Sequence, residues 1–318
     1  MTAVRTFFPS HTPPMAGELL RCPLCCADFT GLECPLCGFR LGLRHDIVQA
    51  LPPDRAAYYA RFVKDYEHIR RSEGRGSAGE EFYLALPWMD SSGRNSAQWR
   101  IRARSFLYLT RHILTPAPAE NQSRVLDIGA GNCWMSYRLA LAGYRPVAVD
   151  LLINNRDGLA AAEHYRKVLP TMFPRYQVEM ERLPFPDGHF DTAVFNASFH
   201  YSEDAEVTLR EALRCVRDGG KVIIIDTPWY SRDGSGRQML AERRAAFLHR
   251  HGTASDSIDH LEYLTDARLQ GLEEALSIRW EVHAPRYGFR WAMRPVIAAL
   301  RGRREPSQFR IYVARKNS

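Results

Sequence analysis

Five of the seven cysteines of this 318-residue chain fall within sixteen residues, as Cys22-Pro-Leu-Cys25-Cys26 and Cys34-Pro-Leu-Cys37. A CxxC turn lets two thiolates approach one ion from the same side, and two such turns complete the tetrahedral sulfur shell of structural zinc. Eight residues separate the turns, which suits a short hairpin. Cys22, Cys25, Cys34 and Cys37 are therefore the expected ligands, with Cys26 a spare thiol able to stand in for Cys25. A four-sulfur shell leaves no open position, so the zinc would hold the fold and not activate water. Disulfides are the weaker reading in a reducing compartment, and a redox CxxC would follow a strand and would not be doubled.

A second constellation begins at Val125-Leu126-Asp127-Ile128-Gly129-Ala130-Gly131-Asn132: a short apolar strand, an acidic residue, a glycine loop, then a helix of apolar period. Gly129 and Gly131 let the backbone turn tightly and approach a ligand, while Cys133 stands where a third glycine would be. About 20 residues after the loop begins, Pro146-Val-Ala-Val-Asp150 reads as a second strand, whose terminal carboxylate can accept from two ribose hydroxyls. Glu179-Met180-Glu181-Arg-Leu-Pro-Phe-Pro-Asp-Gly-His-Phe-Asp191 then leads into a strand at 192–196, a helix at 205–216, and a Gly-Gly turn into a strand ending at Asp226. A nicotinamide-dependent dehydrogenase would share the first two features and gives no reason for the stretch 179–191.

In this order and spacing the chain resembles the class I S-adenosylmethionine-dependent methyltransferases over roughly a third of its length. The resemblance implies an α/β fold, with a doubly wound, seven-stranded Rossmann-like sheet closed by strands near 279–283 and 309–314. It puts Asp127 and the loop of Gly129 and Gly131 by the methionine end of S-adenosylmethionine, and Asp150 by the ribose. Glu179 is assigned to the adenine amino group, with the Met180 backbone beside it. The acceptor would meet the methyl group near Asn196 to Tyr201 and Asp226 to Tyr230. His200 is the general-base candidate, on the ground that an unperturbed imidazole titrates near neutrality; shaping the loop is its other reading. Asn196 stands where nitrogen-directed members carry the Asn of an N-P-P-Y loop, although Ala197-Ser198 replace the prolines. Tyr201, Trp229 and Tyr230 either wall the acceptor or pack.

Before this core, Leu51-Pro-Pro-Asp54 precedes a helical pattern with Tyr58, Phe62, Tyr66 and Ile69 on one face, Asp54 being the expected cap. A second helix is expected over 96–114, ending at the linker TPAPAENQS. Tyr66, Arg70, Tyr83 and Trp88 are the residues placed to form a lid over a cofactor. The organisation expected is a zinc knuckle over 1–45, a helical lid segment over 46–123 and a Rossmann-like domain over 124–318.

The formal charge is +7, but only four of the 43 basic residues are lysine, so the arginine excess is a compositional habit and identifies no partner. After residue 285, nine basic residues face one acidic residue, within an aromatic and basic stretch, Arg286 to Arg304. That stretch suits an ordinary helix with a solvated face, an RNA grip or an anionic membrane surface. No run is long enough to span a membrane and the start lacks a signal-peptide core, so the expectation is a cytoplasmic enzyme. A small-molecule acceptor with an apolar body is the favoured substrate class. The alternatives are a ribosomal RNA methyltransferase gripping RNA through its zinc knuckle, and a non-catalytic cofactor-binding regulatory protein.

Overall fold

The computed structural model describes residues 18–76, 79–114 and 122–317. Its centre is a sheet built from the chain's most apolar β-branched runs: β5 (Arg124–Ile128), β6 (Arg145–Asp150), β8 (Phe190–Asn196) and β9 (Val216–Ile225). These are buried on both faces, as parallel strands covered by helices must be. Alternation splits each strand between two apolar layers: Val222 and Ile224 of β9 pack into one, Ile223 and Ile225 into the other.

With β7 (Arg175–Gln177), β10 (Trp280–His283) and β11 (Ile311–Arg315), the strand order is β7-β6-β5-β8-β9-β11-β10. The five from β7 to β9 run parallel, whereas β11 is antiparallel to β9 and to β10. This is the seven-stranded doubly wound arrangement the motifs imply. The sheet is nonetheless nine-stranded, because β4 (Ile47–Gln49) pairs parallel with β7 and carries β3 (Gly42–Arg44) outside it. The boundary expected at 45/46 falls inside this hairpin.

The cysteine turns flank a small antiparallel pair, β1 (Leu19–Arg21) and β2 (Asp28–Thr30). Leu20, Cys22, Phe29, Cys34 and Phe39 join Tyr176 and Phe185 in one buried cluster, so the knuckle shares the core of the sheet. From β4 the chain passes directly into α1 (Pro53–Ser72). Its cap position is Pro52 and Asp54 lies in the first turn, correcting the expected cap. Proline suits the first helical position because its missing N–H is unpaired there anyway, and Asp54 still complements the helix dipole.

The next helices are α2 (Glu80–Ala85) and α3 (Ser96–Tyr108), the latter continuing as a π-helical turn over Leu109–Ile113. Then α4 (Trp134–Leu141) and α5 (Ala205–Cys215) cover the sheet, and α6 (Asp233–His251) and α7 (Asp266–Leu276) follow β9. Asp204 caps α5 by accepting from the backbone N–H of Glu206 and Val207. Two short turns, α8 (Phe289–Ala292) and α9 (Arg294–Leu300), lie between β10 and β11. No described helix is long and apolar enough to cross a membrane.

Candidate functional site

A cavity of about 400 Å³ opens at the carboxyl ends of β5, β6, β8 and β9, the crevice where doubly wound sheets bind ligands. Its floor is the glycine loop. Gly129 has φ of +73°, and a Cβ there would meet Ser198 Cβ at 2.3 Å, so only glycine lets this loop pack beneath the end of β8. Gly131 is also left-handed, and so is Cys133 at the third-glycine position, with φ of +61°. A non-glycine residue thus adopts the glycine conformation, at a cost on the order of 1 kcal/mol.

Asp150 lines the cavity with both oxygens anchored: the N–H of Gly131 donates to Oδ2 at 2.8 Å and that of Leu152 to Oδ1 at 2.7 Å. Each oxygen keeps a further lone pair, which is what a vicinal diol needs. Burial pushes this carboxyl up to about 6. Asp127 is fully buried under the loop and outside the lining; Ser136 donates to Oδ2 at 2.7 Å, while Oδ1 has no partner. Burial, with the nearby charge of Asp150 adding to it, pushes Asp127 up to about 7.

Glu179 is held by the roof helix. Arg55 Nε donates to its Oε2 at 2.7 Å and Tyr59 OH donates to the same oxygen at 3.2 Å, and the side chain is 1% exposed. The carboxylate ties α1 to the loop after β7 and does not line the cavity; Val178 and Met180 on either side of it do. Glu179 Oε1 is buried and has no hydrogen-bond partner among the described residues, so one acceptor position remains beside the Arg55 ion pair.

Asn196 ends β8 in the cavity wall with its Oδ1 buried and unpartnered. Ala197 and Asp226, which follow β8 and β9, have φ of +54° and +53°. Both line the cavity, so the two strand ends hold uncommon backbone conformations where ligand-facing residues are presented. Ser105 of α3 donates to Asp226 Oδ1, leaving Oδ2 without a partner.

His200 and Tyr201 also line the cavity. Burial, with Arg243, Arg102, His260 and Arg70 nearby, pushes the His200 imidazole down to about 3. The ring is neutral at physiological pH and a poorer proton acceptor than a free imidazole. The Tyr201 ring meets Tyr66 edge-on at 5.5 Å.

The roof is α1 and α3. Phe62, Tyr66 and Arg70 of α1 face the cavity, with Arg70 ion-paired to Asp157 across its rim. Tyr83 is buried elsewhere, donating to the Arg156 carbonyl, and Trp88 is half-exposed outside the cavity, so neither belongs to the lid. Trp229 and Tyr230 pack instead of walling the acceptor: Trp229 Nε1 donates to Asp266, and Tyr230 stands against Tyr263. Their place is taken by Trp291 and Phe309, whose rings stack at 5.4 Å in the lining.

Sequence reasoning missed Arg102. It lies one helical turn before Ser105 and lines the cavity, yet has no hydrogen bond or ion pair with any described residue. Burial, with Arg70 and Arg75 nearby, pushes it down to about 10, still cationic at neutral pH. No local signal marks it, since arginine is the common surface cation throughout this chain.

On the far side, the Sγ atoms of Cys22, Cys25, Cys34 and Cys37 lie within 4.8 Å of one another, Cys22–Cys37 at 3.5 Å and Cys25–Cys34 at 3.6 Å. A sulfur tetrahedron around zinc has edges of roughly 3.8 Å, so the donor set fits. Cys26 is exposed and outside the cluster, which closes its role as substitute for Cys25.

Residues 126–224 match the methyltransferase domain family. The chain is 32% identical over 117 residues to a demethylmenaquinone methyltransferase of Mycolicibacterium gilvum, covering 37% of this chain and 46% of that one. It is 29% identical over 134 residues to a malonyl-[acyl-carrier protein] O-methyltransferase of Erwinia pyrifoliae, covering 41% and 47% respectively. The chain thus spans about half the length of these relatives. Among solved structures, a proposed sarcosine dimethylglycine methyltransferase from Galdieria sulphuraria superposes with a TM-score of 0.50 at 15% identity, covering 68% of this chain and 86% of that one, a likeness of fold.

Proposed function

We propose, from the match of residues 126–224 to the methyltransferase domain family and the crevice beside them, that the chain is a class I S-adenosylmethionine-dependent methyltransferase and transfers the cofactor's methyl group to a small-molecule acceptor with an apolar body. The observation that carries this is Asp150, held by two backbone amides at the crevice with lone pairs left for a ribose. The cavity residues suit the cofactor in charge as well. Asp150, Asp157 and Asp226 face a ligand with two cationic centres, and Arg102 is free for its carboxylate or for an oxyanion of the acceptor. S-adenosylmethionine, when bound, supplies a methyl group already activated on a sulfonium.

The protein's part is then to orient the acceptor and exclude water. Ile101, Phe62, Trp291 and Phe309 supply apolar walls. Asn196 Oδ1 is a buried acceptor for one O–H or N–H of the substrate. With His200 a poor base, the acceptor is best read as itself acidic, a phenol or enol whose oxyanion lies near Arg102. A demethylmenaquinone methyltransferase among the relatives supports an acceptor of this class. The four-cysteine cluster is read as structural zinc.

The test is incubation with methyl-labelled S-adenosylmethionine and fractionated cell extract. Label should enter the organic-soluble small-molecule fraction. Transfer into purified RNA alone would overturn this reading in favour of RNA methylation, and cofactor binding with no transfer to any fraction would favour a regulatory role.

A further inference from the structure

The two helical turns α8 and α9 run on through Met293 as one segment, residues 289–300. Phe289, Met293, Val296, Ile297 and Leu300 stand at i, i+4, i+7, i+8 and i+11, a single stripe roughly 100° wide at helical spacing. A stripe of this kind ordinarily faces the core. Here it faces outward: Phe289 is 80% exposed, Leu300 83%, Val296 49% and Ile297 41%. The opposite side carries Trp291, which lines the cavity and stacks on Phe309. The segment therefore joins the cavity wall through one face and presents a second apolar face to the outside.

Charge says what covers that face. Between Glu281 and Glu305 the chain has no acidic residue, while Arg286, Arg290, Arg294, Arg301, Arg303 and Arg304 flank the stripe. Arg286, Arg290, Arg301 and Arg303 have no ion pair with any described residue. A second copy of the chain would set arginine against arginine. Four side chains also expose at most a few hundred Å², below the roughly 800 Å² per partner of a stable protein interface. An anionic bilayer surface meets both demands, taking the apolar stripe among its acyl chains and the guanidinium groups among its phosphates. Twelve residues are too few to span a bilayer, so the segment would lie in the interface plane.

We propose that residues 286–304 form a docking face for an anionic lipid surface, on the side of the segment turned away from Trp291 and the cavity. This goes beyond the proposed methyl transfer and stands or falls separately from it, because attachment is read without cofactor or acceptor.

The full-length protein is sedimented with vesicles of phosphatidylcholine alone or containing about one third phosphatidylglycerol. The protein should partition at least tenfold more strongly onto the phosphatidylglycerol vesicles, and raising the salt should release it. Phe289→Ser with Leu300→Ser should lower attachment by about tenfold or more. Arg290→Gln, Arg301→Gln and Arg303→Gln together should lower it by on the order of a hundredfold. An unchanged circular-dichroism spectrum and melting temperature certify that both variants are folded; if either is not, the salt dependence and lipid preference of the unaltered protein decide the matter. No attachment, or equal attachment to both lipids at all salt concentrations, would overturn the proposal. So would a dimer in sedimentation velocity that the Phe289/Leu300 variant converts to monomer, since the face would then be a contact between copies.

Discussion

Arg55 of α1 donates to Glu179, beyond β7, at 2.7 Å, and the pair closes the amino-terminal end of the cavity roof onto the sheet. Tyr59, one turn on, reaches Glu179 and Glu203, and Arg70, four turns along, pairs with Asp157 at the other end. The roof helix is thus tied down at both ends by carboxylates of the sheet domain.

Glu179→Gln should consequently act on stability more than on ligand affinity. We expect a loss of about 1–3 kcal/mol in denaturant unfolding, moderated because Arg55 keeps Glu203 as a second partner. Cofactor affinity in calorimetry should stay within about threefold. A large loss of affinity at unchanged stability would assign Glu179 to the adenine site.

Asp127 makes a prediction about pH. Its folded-state value is raised from an ordinary 3.8 to about 7 by burial, so between these values the unfolded chain has released the proton while the native state retains it. Its contribution is full below about pH 4 and is lost as pH rises through 7. Between pH 4 and 8 the unliganded protein should lose on the order of 4 kcal/mol relative to Asp127→Asn, measured by urea unfolding at each pH. Parallel curves for the two proteins would show that Asp127 is ionised throughout.

The histidines test the electrostatics of the acceptor end. His200 is held down to about 3, and burial lowers His260 as well. In a proton-NMR titration the His200 ring should remain neutral at pH 5, where exposed histidines are charged, and His260 should titrate below the exposed ones. A resonance titrating near 6.5 and lost in His200→Gln would support the general-base role.

Zinc removal should be felt at the cavity, because β4 joins the knuckle to the sheet edge and runs directly into α1. One zinc per chain is expected. Chelation should lower the melting temperature by more than about 5 °C and weaken cofactor binding, since the roof loses its anchor. Stoichiometric metal loss with unchanged melting would reduce the cluster to an ornament of the surface.

What could be read from the sequence was whatever the chain encodes locally. The strand, glycine loop and helix from Val125 to Leu141 declare themselves by period and by residues that tolerate left-handed backbone, and Asp150 follows at a fixed distance. The doubled CxxC is equally local, and the geometry of its four sulfurs agrees with the spacing. Side-chain direction was not legible: one residue's shift in facing separates Glu179, turned to Arg55, from Met180 in the cavity. Nor were β3 and β4, three residues each, because they join the sheet through the pairing of β4 with β7, more than a hundred residues along the chain. Arg102, Trp291 and Phe309 reach the cavity only through tertiary packing, so no spacing rule marks them.

With S-adenosylmethionine in the crevice at β5 and β6 and Asp150 on its ribose, calorimetric titration of the purified protein should find one site per chain, weakened by roughly 1–3 kcal/mol in Asp150→Ala, the scale of charge-assisted hydrogen bonds. Absence of binding, or an affinity unchanged by that substitution, would contradict this assignment.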